Sequence, residues 1–157
     1  MFNFFKKEKT LTSVANGRII GITKIPDKVF SQKILGDGFG VIPTSGDFFS
    51  PANGVVSDVT DTLHAYCITT DDGLEILVHI GIDTVELKGE GFTPLVKKGD
   101  RLTAGDALAH ADLELLKEKG YSTACAVVIT NIEKLKSFNV IESPSAKAGS
   151  PAMLYKF

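Results

Sequence analysis

The chain of 157 residues has few cysteines, little net charge and no long apolar run. Its two cysteines, Cys67 and Cys125, lie in apolar, β-branched segments, and we expect buried, inert thiols rather than a disulfide framework. A domain of this length buries roughly 70% of its unfolded surface and folds without disulfides. No apolar run approaches the ~20 residues that a membrane-spanning helix needs. These features predict a globular, cytoplasmic protein.

The formal net charge of -2 argues against nucleic acid as a partner, because such partners require a basic face. Residues 1–10 differ in composition, since three phenylalanines precede three lysines, and they lack the apolar core of a signal peptide. We predict a flexible, basic, Phe-rich leader over residues 1–13 and one domain over residues 14–157. The leader is either a frayed end or a weak, membrane-peripheral contact with anionic lipid.

Short apolar segments separated by Gly, Asp and Asn turns follow the leader. This spacing is typical of a β-sandwich or barrel. The predicted strands are residues 18–23, 39–42, 54–59, 63–69, 74–80, 107–111 and 124–130, with a closing strand over 151–157. Asp112 is predicted to cap a short helix that reaches Lys119, and residues 131–136 are a candidate for a second.

The chain contains three histidines, and His79 lies near the end of the strand predicted over residues 74–80. Alternate side chains of a strand face opposite sides. One face of this strand is uniformly apolar and is predicted to face the core: Leu74, Ile76, Val78 and Ile80. His79 therefore belongs to the outer face, together with Glu75 and Leu77.

The position of His64 relative to His79 depends on the turn within residues 70–73. A two-residue or four-residue loop places the imidazoles on one face of adjacent strands, either directly opposite or diagonal. A three-residue loop without a bulge would place them on opposite faces. Two facing imidazoles suit nucleophilic catalysis, in which one neutral ring attacks and the other orients it or stabilises charge.

Metal binding is the alternative use of two facing imidazoles. A catalytic zinc site normally has three protein ligands, and no third ligand is evident, because His110 lies on another segment. A hydrolase triad is not supported either, since the chain has no Gly-x-Ser-x-Gly motif.

Residues 73–92 resemble the phosphorylation-site segment of the glucose-family IIA proteins of the bacterial phosphoenolpyruvate-dependent sugar phosphotransferase system. The apolar residues, the histidine, the glycines and the run Asp83, Thr84 and Val85 all fall in register. Residues 26–30, 33–38, 50–54 and 62–65 also resemble this family. The likeness extends from about residue 14 to residue 157.

The resemblance implies an all-β fold, an antiparallel β-sandwich of Greek-key or jelly-roll type, with one or two short helices. It implies phosphotransferase activity in which the carrier protein HPr phosphorylates one histidine at Nε2, and a cysteine of a IIB domain then receives the group during sugar uptake. By position, His79 is the phosphorylated residue, His64 hydrogen-bonds the phosphoryl group and is needed for onward transfer, and Thr62 orients His64. We expect no cofactor, only covalent phosphate on His79.

The resemblance also implies a docking surface around the histidine. The corresponding apolar residues are Val29, Phe30, Ile34, Leu35 and Leu77, and the acidic residues that meet arginine on HPr are Asp27 and Asp83. Thr60 and Leu77 depart from the family pattern, because phenylalanine is frequent at both positions. The absence of a large aromatic at Thr60 puts any contact that relies on one in doubt.

Other interpretations remain open. Residues 50–55 and 96–108 also resemble biotinyl and lipoyl carrier domains, but the hairpin tip at residues 70–73 has no lysine to modify. A zinc-binding regulatory module is a further alternative. No resident metal is expected, although His64 and His79 would bind zinc if a partner supplied a carboxylate. Regulatory targets thus join HPr and IIB as candidate partners. The chain carries no recognisable IIB or IIC segment, and the leader favours a free-standing protein over a permease domain.

Overall fold

A computed structural model describes residues 7–157. Its strands are β1 Lys9–Thr12, β2 Gly17–Gly21, β3 Asp37–Pro43, β4 Asp47–Phe49, β5 Gly54–Val59, β6 Ala65–Thr70, β7 Glu75–Ile80, β8 Phe92–Pro94, β9 Arg101–Leu102, β10 Ala107–Ala111, β11 Cys125–Ile129, β12 Ser137–Val140, β13 Ser143–Ala146 and β14 Pro151–Lys156. The α-helices are α1 Lys28–Ser31 and α2 Leu113–Glu118, and short 3-10 helices cover Ile22–Lys24, Thr84–Leu87 and Ile132–Lys134.

The strands form one large antiparallel sheet and two small ones. The large sheet has eight strands in the order β13-β2-β3-β11-β7-β6-β5-β9, and the small sheets have the orders β1-β14-β12 and β4-β10-β8. Neighbours such as β11 and β7 are far apart in sequence, so long connections join the layers, as in Greek-key folds. The predicted class, an all-β antiparallel sandwich with two short helices, is confirmed.

Strand β7 shows how the sequence pattern builds the core. The side chains that the alternation predicts to face inward are at most 2% exposed. They are Leu74, just before the strand, and Ile76, Val78 and Ile80 within it. Burying an aliphatic side chain contributes about 1.5–3 kcal/mol, so this pattern determines which face of the strand turns inward. The outer face keeps Glu75 exposed and leaves Leu77 and His79 half-buried.

A second, smaller apolar cluster covers part of the outer face of the large sheet. Its buried members are Ile20, Ile22, Ile25, Phe30, Ile82, Ala124, Ala126 and Val128, and Leu77 packs against them. The cluster joins α1 and the first 3-10 helix to β11 and β7. It therefore anchors the segment around α1 next to His79.

Several sequence predictions about the elements need correction. Strand β2 ends at Gly21, because residues 22–24 turn into a 3-10 helix, and residues 131–136 contribute only the 3-10 helix Ile132–Lys134. The predicted helix cap is confirmed, since the Asp112 side chain accepts a hydrogen bond from the Leu115 backbone N–H at 3.1 Å. The short strands β1, β4, β8, β9, β12 and β13 and helix α1 were not predicted.

The predicted leader over residues 1–13 is wrong for its second half. Residues 9–12 form β1, which pairs with β14, and the side chain of Leu11 is fully buried in the core. Backbone pairing and apolar burial thus make this part integral to the fold. Residues 1–6 lie outside the described residues, so the predicted contact of residues 1–10 with lipid stays a prediction. No helix within residues 7–157 is long and apolar enough to cross a membrane.

The two cysteines have different environments, and neither forms a disulfide. Cys125 is buried as predicted, and burial raises the pKa of its thiol far above the ordinary value. Cys67 is only half-buried on the outer face of β6, so the prediction of a buried thiol is wrong there. Burial, followed by the nearby carboxylates of Asp58 and Glu75, raises the pKa of Cys67. Both thiols therefore favour the protonated, unreactive form.

Candidate active site

His79 occupies a gap on the outer face of the large sheet. Its neighbours across the two adjacent strands are Ala65 on β6 and Ala126 on β11. Because both neighbours are small, larger rings from outside the sheet can approach the imidazole. Phe30 does so from α1, with ring centroids 5.0 Å apart. The histidine is consequently half-buried and braced by its surroundings.

The His79 ring is oriented by a backbone carbonyl. Its Nδ1 atom lies 2.8 Å from the carbonyl oxygen of Gly81. A carbonyl oxygen can only accept a hydrogen bond, so Nδ1 carries the proton and donates it. In the neutral ring the lone pair then belongs to Nε2. This contact selects the nitrogen that can act as a nucleophile.

Burial keeps the His79 imidazole neutral, against the effect of the nearby carboxylates. Burial lowers the pKa of the imidazole below its usual value of 6.5, against the opposing effects of the Gly81 hydrogen bond and the carboxylates of Asp27 and Asp83. At pH 7 the ring is therefore uncharged, which keeps the Nε2 lone pair available for attack.

The position of the Gly81 carbonyl depends on a backbone conformation and a close contact that favour glycine. Its φ angle is +76°, in the region that side chains disfavour, and an added Cβ would lie 2.4 Å from Cγ2 of Thr84. The Thr84 hydroxyl is itself held by a 2.6 Å hydrogen bond to the carbonyl of Ile80. The chain thus bends tightly after β7 and directs the Gly81 oxygen back at the imidazole.

The hairpin between β6 and β7 differs from both predicted registers. Ala65 lies opposite His79, and the Thr70 N–H bonds to the carbonyl of Leu74, so the loop has three residues. The φ angle of Gly73, +95°, accommodates this turn. The predicted two-residue and four-residue loops are wrong. By strict alternation, this register would direct His64 toward the core with Ile80.

The two imidazoles nevertheless meet, because His64 precedes β6. Leu63 has a left-handed φ of +61°, and its N–H bonds to the carbonyl of Thr60 at 2.8 Å. This turn breaks the alternation and rotates the His64 side chain to the outer side. The ring centroids of His64 and His79 are 4.7 Å apart at an interplanar angle of 80°. The two imidazoles therefore face each other as predicted, but the turn at Leu63 brings them together instead of the loop length of the hairpin.

His64 is held through its Nδ1 atom. The Thr62 hydroxyl lies 2.7 Å from this nitrogen, where the resemblance placed it, and the Thr60 hydroxyl lies 3.4 Å away. Burial, and then the proximity of His79, lowers the pKa of His64 from 6.5 to about 4. His64 is 6% exposed, and its ring is neutral at pH 7. The use of Nδ1 for the threonines leaves Nε2 for other contacts.

The predicted docking residues divide into exposed and buried ones. Ile34 is 64% exposed, and Val29 and Leu35 are exposed beside it. Phe30 is only 5% exposed, so it offers little surface for the docking role that the resemblance implies. It packs into the smaller apolar cluster and against His79, which makes it part of the floor of the site. Leu77 is half-buried in the same floor.

Two acidic residues and one further apolar residue lie at the rim of the site around His79. Asp83 is exposed and Asp27 half-buried, and both are close enough to oppose the lowering of the His79 pKa. Val85, in the 3-10 helix that follows Gly81, is half exposed and was not predicted as a docking residue. Its position within the segment 73–92 could have indicated it. Within residues 7–157 no cluster of three or more His, Cys, Asp or Glu side chains could hold a metal ion.

Comparison with known proteins places the chain in a family. Residues 9–135 match the family described as "phosphoenolpyruvate-dependent sugar phosphotransferase system, EIIA 1". The chain belongs to this family. It is therefore a phosphoryl carrier of the phosphotransferase system, which acts between HPr and a IIB domain. The biotinyl, lipoyl and zinc-module alternatives find no support in these similarities.

Individual relatives agree with the family assignment. The glucose-specific EIIA component of Halalkalibacterium halodurans is 43% identical over 94% of this chain and 86% of its own length. The glucose-specific EIICBA component of Streptococcus pneumoniae is 44% identical over 87% of this chain, which corresponds to 19% of that larger protein. The solved structure of glucose permease IIA from Mycoplasma capricolum superposes with a TM-score of 0.90 at 35% identity, over 98% of this chain and 99% of that one.

Proposed function

We propose that Nε2 of His79 is the atom that carries the phosphoryl group. The observation that supports this assignment is the 2.8 Å contact between His79 Nδ1 and the Gly81 carbonyl, which leaves the lone pair on Nε2. When this lone pair attacks phospho-HPr, an N–P bond forms at His79 while the N–P bond of HPr breaks. The positive charge that develops on the ring is shared with the Gly81 oxygen through Nδ1–H. Such transfer requires chiefly positioning and charge stabilisation.

His64 is proposed to act on the bound phosphoryl group. Its ring lies edge-on to His79 at 4.7 Å, and Thr62 holds Nδ1. An N–H at Nε2 of His64 can then donate to a phosphoryl oxygen on His79. When the thiolate of the IIB cysteine attacks, an S–P bond forms and the N–P bond breaks, which returns the lone pair to Nε2 of His79. We therefore assign His64 to the exit step.

The proposed docking surface consists of Val29, Ile34, Leu35 and Val85, with Asp27 and Asp83 at its rim. An exposed apolar patch of this kind is typical of a protein-binding surface. Acidic side chains at the rim suit a donor that presents arginine, and they favour rapid encounter over tight binding. A carrier that exchanges partners needs rapid encounter and weak binding. Regulatory partners would compete for the same surface, and lipid contact of residues 1–10 remains a separate proposal.

The experiment that tests this function is phosphoryl transfer from labelled phosphoenolpyruvate through Enzyme I and HPr. We expect about one equivalent of acid-labile phosphate per chain, with the ³¹P signal of Nε2-phosphohistidine. His64→Gln should still accept phosphate, because its amide can donate a hydrogen bond to the phosphoryl group. It should release the phosphate to IIB slowly, because the proposed exit step depends on the His64 imidazole. Label on Nδ1, or equal loss of entry and exit in His64→Gln, would contradict the assignment.

A further inference from the structure

Thr60 lies beside the active histidines and makes hydrogen bonds through both its backbone and its hydroxyl. Its backbone N–H donates to the Ala65 carbonyl at 3.1 Å, and its hydroxyl oxygen accepts from the Ala65 N–H at 3.2 Å. The hydroxyl also lies 3.3 Å from the Ala65 carbonyl and 3.4 Å from Nδ1 of His64. The Thr60 carbonyl accepts from Leu63. Thr60 thus closes the turn that rotates His64 out of the strand alternation.

The hydroxyl of Thr60 has one proton and two acceptors within reach. When Nδ1 of His64 bears a lone pair, the hydroxyl can donate to it. When Nδ1 bears a proton, the hydroxyl can turn its own proton to the Ala65 carbonyl and accept from the ring. Its oxygen stays in place in both cases, because the Ala65 N–H holds it. Thr62 contacts the same nitrogen more closely, at 2.7 Å, but it has no such anchor among the contacts of the described residues.

We infer that Thr60 is a second positioning residue for His64. Its anchored hydroxyl holds Nδ1 in either protonation state. When Nδ1 bears the lone pair, this contact directs Nε2–H of His64 at the phosphoryl group on His79. This inference rests on the proposed role of His64 in the exit step. Phenylalanine, which is frequent at this position in the family, has no hydroxyl. This way of positioning His64 is therefore restricted to this chain and to others with threonine or serine here.

The test compares Thr60→Val, which keeps the shape, with Thr60→Ser, which keeps the hydroxyl. Thr69→Val is the matched control, because its hydroxyl belongs to the same hairpin but donates to Glu75. Exit to IIB and entry from HPr are measured separately. The ¹⁵N shift of His64 Nδ1 is recorded on unphosphorylated protein, so this readout holds even if His79 takes no phosphate and the proposed function fails.

We expect Thr60→Val to slow exit about three- to tenfold, the effect of one lost hydrogen bond, with entry changed less than about twofold. Its His64 Nδ1 signal should shift, while Thr60→Ser and Thr69→Val resemble the parent. An unshifted Nδ1 signal, or equal slowing of both steps, would overturn the inference. If Thr60→Val does not fold, Thr60→Ala replaces it, and the same Nδ1 criterion applies.

Discussion

The Nδ1 atom of His79 lies 2.8 Å from the carbonyl oxygen of Gly81, two residues further along the chain. Through this contact, a backbone carbonyl determines which nitrogen of the His79 ring can react. The carbonyl accepts the Nδ1 proton and leaves Nε2 as the nucleophile. The position of the carbonyl depends in turn on a left-handed φ that glycine adopts without strain.

Gly81→Ala should therefore impair both the folding of the protein and the phosphorylation of His79. The added methyl would meet Thr84 and force the carbonyl to move. We expect a loss of about 2 kcal/mol or more in stability and a tenfold or greater fall in the rate of entry from HPr. Chemical denaturation and the transfer assay measure the two effects.

The matched control is Gly99→Ala. Gly99 also has a positive φ, +95°, but an added Cβ would have no neighbour within 4 Å. It should lose only about 1 kcal/mol of stability and transfer phosphate normally. If both variants transfer at the same rate, the Gly81 carbonyl does not control the reactive nitrogen.

The stability of the protein should fall on mild acidification, in part through His64. Its pKa is about 4 in the folded protein and near 6.5 in the unfolded chain, so between these values the unfolded state binds more protons. This contribution is complete above pH 6.5 and is lost as the pH falls toward 4. The lowered pKa of His79 acts in the same direction.

His64→Gln removes one of these titrations. Between pH 7 and pH 5 the wild-type free energy of unfolding should decrease by about 1–2 kcal/mol more than that of the variant. Urea unfolding at the two pH values measures the difference, and the carboxylates cancel in the comparison. Parallel losses would show that His64 is not buried as a neutral ring.

The docking surface should tolerate charge without unfolding. Ile34 is 64% exposed, so Ile34→Asp is expected to change the free energy of unfolding by less than about 0.5 kcal/mol. It should slow entry from HPr and exit to IIB together, because both partners must reach the same histidine. A thermal melt and both transfer assays on one preparation make the measurement.

Leu95→Asp serves as the control, since Leu95 is similarly exposed but follows β8 in a small sheet. Its transfer rates should match the wild type. Phe30→Ala provides the contrast, because truncation of a buried aromatic costs about 3 kcal/mol. A large loss of stability in Ile34→Asp, or normal transfer, would place the docking surface elsewhere.

The outer position of His79 could be predicted from sequence because it depends only on alternation along a uniformly apolar face. The register of the β6–β7 hairpin could not. Residues 70–73 allow several loops, and the three-residue loop is chosen by contacts such as the Thr70 hydroxyl accepting from the Leu74 N–H at 2.8 Å. The left-handed φ of Leu63 brings His64 to the same side as His79. It could not be predicted from the sequence, because leucine rarely adopts this conformation.

The missed elements have physical reasons as well. Strands β12 and β13 are mostly exposed and belong to sheet edges, so they lack the alternation that burial imposes. The helix α1 has only four residues, too few for a helical period. Phe30 therefore gave no sign of its burial. The resemblance indicated that Phe30 lies near His79. Only the packing shows that Phe30 belongs to the floor of the site and not to the surface that a partner contacts.

The most direct test of the central claim is the phosphate stoichiometry of two histidine variants. His79 and His110 are both replaced by alanine, one at a time, and incubated with labelled phosphoenolpyruvate, Enzyme I and HPr. His110 is exposed on β10 and pairs with Asp47, away from the two facing imidazoles. We predict no incorporation in His79→Ala and about one equivalent in His110→Ala. A full equivalent of phosphate on His79→Ala would contradict the account.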